Sequence, residues 1–343
     1  MAVRRLESLD GLRGVAAVAV LAFHYIYHYN RLYGHGFNVP EWTFAGYYGV
    51  HLFFLVSGFV IFWTLSKCEK PFDFIWSRFT RLYPVYWAAL SLTFLAVSIY
   101  GLSGREVSLD TFVANLLMIH EYLGFKHVDG VYWTLTLELA FYFWMFLLFI
   151  LNQLKNIEKW LLLWLTIAAM FFISGLDQKT DARITKFFLF DFIALFSAGI
   201  CFYKVWSQKA NVLTAIVLGA SLALLFIIYS FKVSVGLTLM YFVFYLAISD
   251  KIKLLRNPVT VWLGGISYSL YLIHQNIGYM IIQGAYSYGV SPAIGITIAT
   301  IVSILLAVIL TYKVEKPSII ILRRIYQKVP DKISFFTVAN KDG

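Results

Sequence analysis

The sequence predicts an all-α integral membrane protein: about ten transmembrane helices in one bundle, with a short re-entrant or interfacial segment before the fourth. Three observations lead there. Of the 343 residues, 60% are hydrophobic, 19% aromatic and only 13% charged, about half the charged fraction of a soluble globular domain. Apolar stretches of membrane length follow one another with short connections, which leaves no room for a separate soluble domain. The formal net charge of +10 is unevenly spread, with 21 of the 28 Lys and Arg on the side of the N-terminus and 7 on the other. That asymmetry orients membrane proteins with their basic loops in the cytoplasm, and it removes the main support for nucleic-acid binding.

In chain order the spans are drawn at about 14–30, 47–66, 83–101, 134–153, 159–175, 187–206, 211–230, 234–249, 260–282 and 291–313. The first contains a histidine and lacks a small-residue cleavage site, so it reads as an uncleaved anchor. Arg4 and Arg5, Lys67 and Lys70, Lys251, Lys253 and Arg256, and the tail from Lys313 share one face. An even number of crossings then puts both termini in the cytoplasm. The stretch 111–119, TFVANLLMI, is too short to cross and is the re-entrant or interfacial piece. Tyr132 and Trp133 open the fourth span as aromatic anchors at the surface. Residues 1–317 form the membrane domain, and 318–343 a cytoplasmic basic tail in which IIILRRIYQK suits an interfacial helix.

Ionisable groups inside such spans are costly and therefore point to chemistry. Ten residues beyond Gly14, His24 lies about 15 Å into the first span, near mid-depth. In LDGLRG before it, Asp10 is positioned to cap the helix and Arg13 to pair with it, while Gly11 and Gly14 let a backbone or ligand come close. In WSRFTRLYP, 76–84, Arg78 and Arg81 are three apart, so both guanidinium groups share a helix face and suit phosphate binding at a membrane mouth. In VYWTLTLELAFYF, 131–143, Glu138 lies one turn inside the fourth span. A carboxylate there, brought against His24 by helix tilt, would fix the imidazole's tautomer and make it a general base. His51, Asp191 and His274 are further intramembrane ionisable groups for the same cavity, with Trp133 at its rim. His24 and His28 have HxxxH spacing, but no matching ligand cluster accompanies them, so no metal is expected. His, Glu and Arg in a ten-span bundle also suit a proton-coupled transporter of a sugar or acyl compound. The residues alone leave enzyme and carrier about equally open; the feature that discriminates them is the cytoplasmic arginine pair, which such a carrier does not need.

Taken together, LDGLRG at 9–14, His24, GVHLFFLVSGF at 49–59, RxxRLYP at 78–84, WTLTLE at 133–138, GGISYSLYLIH at 264–274 and VEKP at 314–317 resemble the acyltransferase-3 family of integral membrane O-acyltransferases. The resemblance implies transfer of an acyl group, commonly acetyl, from cytoplasmic acyl-CoA to a hydroxyl of an extracytoplasmic carbohydrate, in a bacterial inner membrane. It implies that Arg78 and Arg81 hold CoA phosphates, that Asp10 and Arg13 shape the inner mouth, and that His24 is the catalytic group with Glu138 as partner. The histidine would act either as a base or as a transient acyl carrier. Two departures stand out: His51 occupies a position where the family often has an acid, and Leu139 one where it often has a second acid.

Overall fold

Helices build the protein, and the computed structural model describes residues 6–328, with no strand among them. We number the helices α1 Glu7–Tyr33, α2 Gly49–Leu65, α3 Pro71–Tyr100, α4 Leu109–Asn115, α5 Trp133–Ile150, α6 Ile157–Ile173, α7 Ala182–Phe187, α8 Ile193–Trp206, α9 Val212–Ile228, α10 Phe231–Ile248, α11 Pro258–Ser287 and α12 Pro292–Gln327. Each of the ten expected segments carries one of these helices. Seven helical stretches among the described residues are long and apolar enough to cross a membrane. Of the rest, α8 and α9 are apolar but shorter, and α11 has the length with polar residues through its middle. The segment expected to be re-entrant forms the short α4 and the turns after it. Arg4, Arg5 and the end of the basic tail, 329–343, lie outside the described residues.

Two helix starts differ from the expectation, and each moves a site residue. α1 begins at Glu7 and Asp10 lies inside its first turn, so Asp10 does not cap the helix; it pairs with Arg13 at 3.7 Å. His24 is thereby closer to the far end of α1 than to its start, 9 residues from Tyr33 and 17 from Glu7. α3 begins with Pro71, where proline's missing N–H costs nothing, and continues through Pro84. The expected third span begins only at residue 83, beside that second proline, which membrane helices tolerate. WSRFTRLYP is therefore part of α3 itself.

Small residues bring the backbones together. A Cβ on Gly14 would overlap the carbonyl of Thr260, and one on Gly264 would overlap that of Asp10, so the glycines of LDGLRG and GGIS seat α1 directly on α11, while Gly11 meets the carbonyl of Leu255 just before it. Gly58 and Gly199 do the same for α2 and α8. α1, α2, α3, α5 and α11 surround the central space, with α6, α8, α9 and α10 packed outside them. Among the described residues two helices contain a π-helical turn, Phe23–His28 in α1 and Leu310–Glu315 in α12. Such turns misalign backbone carbonyls and commonly mark functional positions. His35 Nε2 donates to the carbonyls of Tyr25 and Ile26 at 2.8 and 3.1 Å, while its Nδ1 accepts from the Tyr286 hydroxyl at 2.7 Å.

Candidate active site

Two cavities lie end to end between the five inner helices. The first, about 160 Å³, is lined by Arg13, Arg78, Arg81, Ser57, Glu138 and Tyr142 among mostly apolar neighbours. The second, about 290 Å³, is lined by His24, His28, Arg105, Gly130, Trp133 and Gln275 with aromatic walls. Val50 and Tyr271 belong to both linings and form the waist between them. The Tyr271 hydroxyl is held there by the carbonyl of Val131 at 3.1 Å and the hydroxyl of Thr134 at 2.8 Å.

In the arginine cavity the guanidinium groups have different occupations. Arg81 is joined to the buried carboxylate of Glu315, which also accepts from Ser269 at 3.1 Å. Arg78 meets only neutral groups, Ser77 at 3.3 Å, Thr64 at 3.5 Å and the face of Tyr142. It forms no ion pair among the described residues, and so is the arginine better placed to receive an anion. Glu138 accepts hydrogen bonds from Ser57 at 3.2 Å and from Tyr142.

The expected contact between Glu138 and His24 is not made. Five residues beyond Trp133 on α5, Glu138 lies about 7.5 Å further down the helix and on the other side of the waist. The imidazole of His24 is met by His274 instead, Nδ1 to Nε2 at 3.0 Å. The hydrogen-bond geometry assigns both tautomers. His274 Nδ1 faces two acceptors, the carbonyls of Leu270 and Tyr271 at 3.0 and 2.9 Å, so it carries the proton and Nε2 is a lone pair. His24 Nδ1 then faces that lone pair and the carbonyl of Val20 at 2.9 Å, so it too must be the donor. The remaining nitrogen of His24, Nε2, is left with its lone pair and makes no hydrogen bond with a described residue. His24 lines the histidine cavity and the residue is 9% exposed. An imidazole held this way is a base at Nε2.

Other residues singled out in the sequence take different places. His28 lines the same cavity, with Nδ1 on the Tyr279 hydroxyl at 2.7 Å. His51 lies outside both linings: its two ring nitrogens are buried without a partner, and Tyr47, Tyr48, Phe192 and Tyr229 surround the ring. Asp191 also lies outside both, and its backbone carbonyl accepts from Tyr229 at 2.9 Å. No group of three or more His, Cys, Asp or Glu among the described residues is arranged to hold a metal ion.

Residues 6–312 match the model of a family described as an acyltransferase domain. The chain belongs to this acyltransferase-3 family. Among curated proteins it is 31% identical over 153 residues to acyltransferase MdmB of Streptomyces mycarofaciens, covering 41% of this chain and 38% of that one. It is 27% identical over 171 residues to peptidoglycan O-acetyltransferase OatA of Listeria monocytogenes, covering 44% of this chain and 25% of the relative. A third relative, protein 2 in the picA locus of Rhizobium radiobacter, is 35% identical over 106 residues, 29% of this chain and 50% of that protein. The matches thus span half or less of these relatives. No solved structure matches the chain.

Three residues of this acyltransferase-family site escaped the reading of the sequence. Arg105 is one of the few basic residues on the sparsely basic side, which is itself a signal. Gln275 follows His274 in a polar run, HQN, inside an apolar helix. Glu315, in VEKP, is a buried acid whose partner is 234 residues away.

Proposed function

We propose that this chain is a membrane O-acyltransferase that moves an acyl group, acetyl in the first instance, from cytoplasmic acyl-CoA to a hydroxyl of an extracytoplasmic saccharide. The observation that carries the reading is the pair of abutting cavities, one lined by arginines and the other holding an imidazole with a free lone pair. In this reading the bundle crosses the bacterial inner membrane ten times with both termini cytoplasmic, and the arginine cavity opens inward. The match to an acyltransferase family and the peptidoglycan O-acetyltransferase among its relatives support the reaction class.

The residues fit such a donor. At about 160 Å³ the arginine cavity is smaller than sites that enclose a whole ligand, about 300 Å³ and upward. It therefore admits the thioester arm, with the phosphates at the mouth against Arg78 and Arg13. Arg81, neutralised by Glu315, shapes the wall. At the waist the acyl carbon comes within reach of an acceptor in the histidine cavity. His24 Nε2 takes the proton of the acceptor hydroxyl as its oxygen bonds to the acyl carbon. The carbon–sulfur bond then breaks, and the imidazolium returns the proton to the departing thiolate. His274 holds His24 in the required tautomer, the task the sequence had suggested for Glu138. Glu138, with Tyr142 and Ser57, forms the polar side of the donor cavity.

Mass spectrometry of cell-surface saccharides tests this reading. Deleting the gene removes an acetyl-sized mass from one saccharide, the intact gene restores it, and His24→Ala does not. An unchanged acyl content on deletion, or restoration by His24→Ala, would refute it.

A further inference from the structure

The histidine cavity has a second polar corner that proton transfer at His24 does not use. Arg105 reaches it from the loop between α3 and α4, and its guanidinium makes no hydrogen bond or ion pair with any described residue. Its neighbour Glu106 turns back onto the backbone N–H groups of Leu102 and Arg105, at 3.1 and 3.2 Å. Asp129, the acid whose charge interacts with Arg105, has one oxygen on the Val131 N–H at 3.2 Å and the other on the Asn276 N–H at 3.1 Å. The cavity therefore contains a cation without a paired acid, which a mostly aromatic wall disfavours.

Gln275 supplies the second observation. It is 2% exposed and lines the same corner, with its side-chain oxygen unpartnered and its nitrogen 3.4 Å from the Tyr279 hydroxyl. Turning the amide round exchanges the orphan atom without removing it, so one buried polar atom awaits a partner from the cavity. Gly130 supplies the third. A Cβ there would lie 2.5 Å from Gln275 Oε1 and 3.0 Å from Arg105 Nη1, so the absent side chain leaves room for both groups.

We propose that Arg105 and Gln275, above Gly130, bind an anionic group of the saccharide acceptor, a carboxylate or a phosphate, and so present a neighbouring hydroxyl to His24 Nε2. This inference rests on the acyltransferase reading of the same cavity. The planar guanidinium fork matches both anions, with two parallel N–H donors to two oxygens. The orphan atom of Gln275 pairs with a hydroxyl or amide of the same sugar unit. At about 290 Å³ the cavity is at the small end of ligand sites, the scale of a single sugar unit. A neutral acceptor leaves the guanidinium unpaired, and that is the source of discrimination.

The test uses the purified full chain in lipid nanodiscs. Binding is measured without donor for a glucuronic acid oligosaccharide, its glucose counterpart and glucose 1-phosphate, followed by turnover with acetyl-CoA. The acidic ligands bind at least about tenfold more tightly than the neutral one, as expected for one charge-assisted pair. The preferred member of the two identifies the anion as carboxylate or phosphate. Arg105→Gln brings the acidic-to-neutral ratio in binding and in kcat/KM towards one, and Arg105→Lys retains part of it. Gly130→Ala lowers the same ratio, and retained acyl-CoA binding by each variant shows that it is folded. Equal binding of acidic and neutral saccharides by the wild type would overturn the proposal. So would an equal fall in kcat for both acceptors in Arg105→Gln with binding unchanged, since the charge would then serve the reaction itself. Arg105-dependent binding of the acid without transfer to any acceptor would remove the acyltransferase reading and leave the anion site. Transfer without acid preference would remove only the anion site.

Discussion

At the scale of single residues, the basicity of His24 Nε2 depends on hydrogen-bond donors and acceptors rather than on a neighbouring charge. The pairing of His274 Nε2 with His24 Nδ1 at 3.0 Å predicts that the acceptor at position 274 matters more than the ring. His274→Leu leaves the His24 N–H with Val20 alone and frees the ring to exchange tautomers, so kcat falls roughly tenfold or more with little change in KM. His274→Gln, whose side-chain oxygen can accept, recovers part of the loss. Equal loss in both variants would mean that packing is the only role of His274. The donor side makes a separate prediction. Because Arg81 is already joined to Glu315 while Arg78 has only neutral partners, Arg78→Ala raises the KM for acetyl-CoA by about tenfold, the weight of one charge-assisted hydrogen bond. Steady-state kinetics at two salt concentrations checks it, since the effect shrinks as salt screens the phosphates.

At the scale of elements, the close seat of α1 on α11 decides where the two histidines meet. A side chain at Gly264 would overlap the Asp10 carbonyl, so Gly264→Val forces the helices apart. The cost is about 3 kcal/mol, read as a lower thermal midpoint in detergent together with lost transfer. A variant as stable and active as the wild type would contradict this packing. The loop entering α5 makes a pH prediction. Burial pushes the carboxyl of Asp129 up from its ordinary 3.8 to about 6, against the opposing pull of its backbone hydrogen bonds and Arg105. The folded protein therefore holds this proton more tightly than the unfolded chain. The stabilisation is full below pH 3.8 and is lost as the pH rises through about 6. Thermal midpoints across that window fall more steeply for the wild type than for Asp129→Asn, which cannot ionise; equal slopes would contradict the assignment.

These same elements mark how far the sequence could be read. Segments of sustained apolar character located every long helix, the cost of ionisable groups in hydrocarbon singled out His24 and Glu138, and the three-residue spacing of two guanidinium groups at a membrane mouth singled out Arg78 and Arg81. Partnership was not legible. His24 and His274 are 250 residues apart, and nothing local to either says that the glycines of α1 and α11 bring their helices together. Glu138 was assigned to His24 as the acid at hand in the fourth span, whereas rise along α5 carries it past the waist. Arg105 and Gln275 were passed over because a loop arginine and a helix glutamine are ordinary until a cavity joins them. His51 remains a buried imidazole without a hydrogen-bonding partner, and nothing in the structure explains it.

At the scale of the whole molecule, the claim is that one chain conveys an acyl group between two aqueous compartments, through cavities that meet at Val50 and Tyr271. On that claim each substrate enters through its own cavity, and neither has to cross the membrane whole. The most direct measurement places them on opposite sides. Purified protein is reconstituted into sealed vesicles enclosing an oligosaccharide acceptor, and acetyl-labelled CoA is added outside. Label accumulates on the enclosed saccharide with the wild-type protein and fails to do so with His24→Ala, although that variant still binds CoA. Transfer only when donor and acceptor share a compartment, or equal transfer by His24→Ala, would contradict the account.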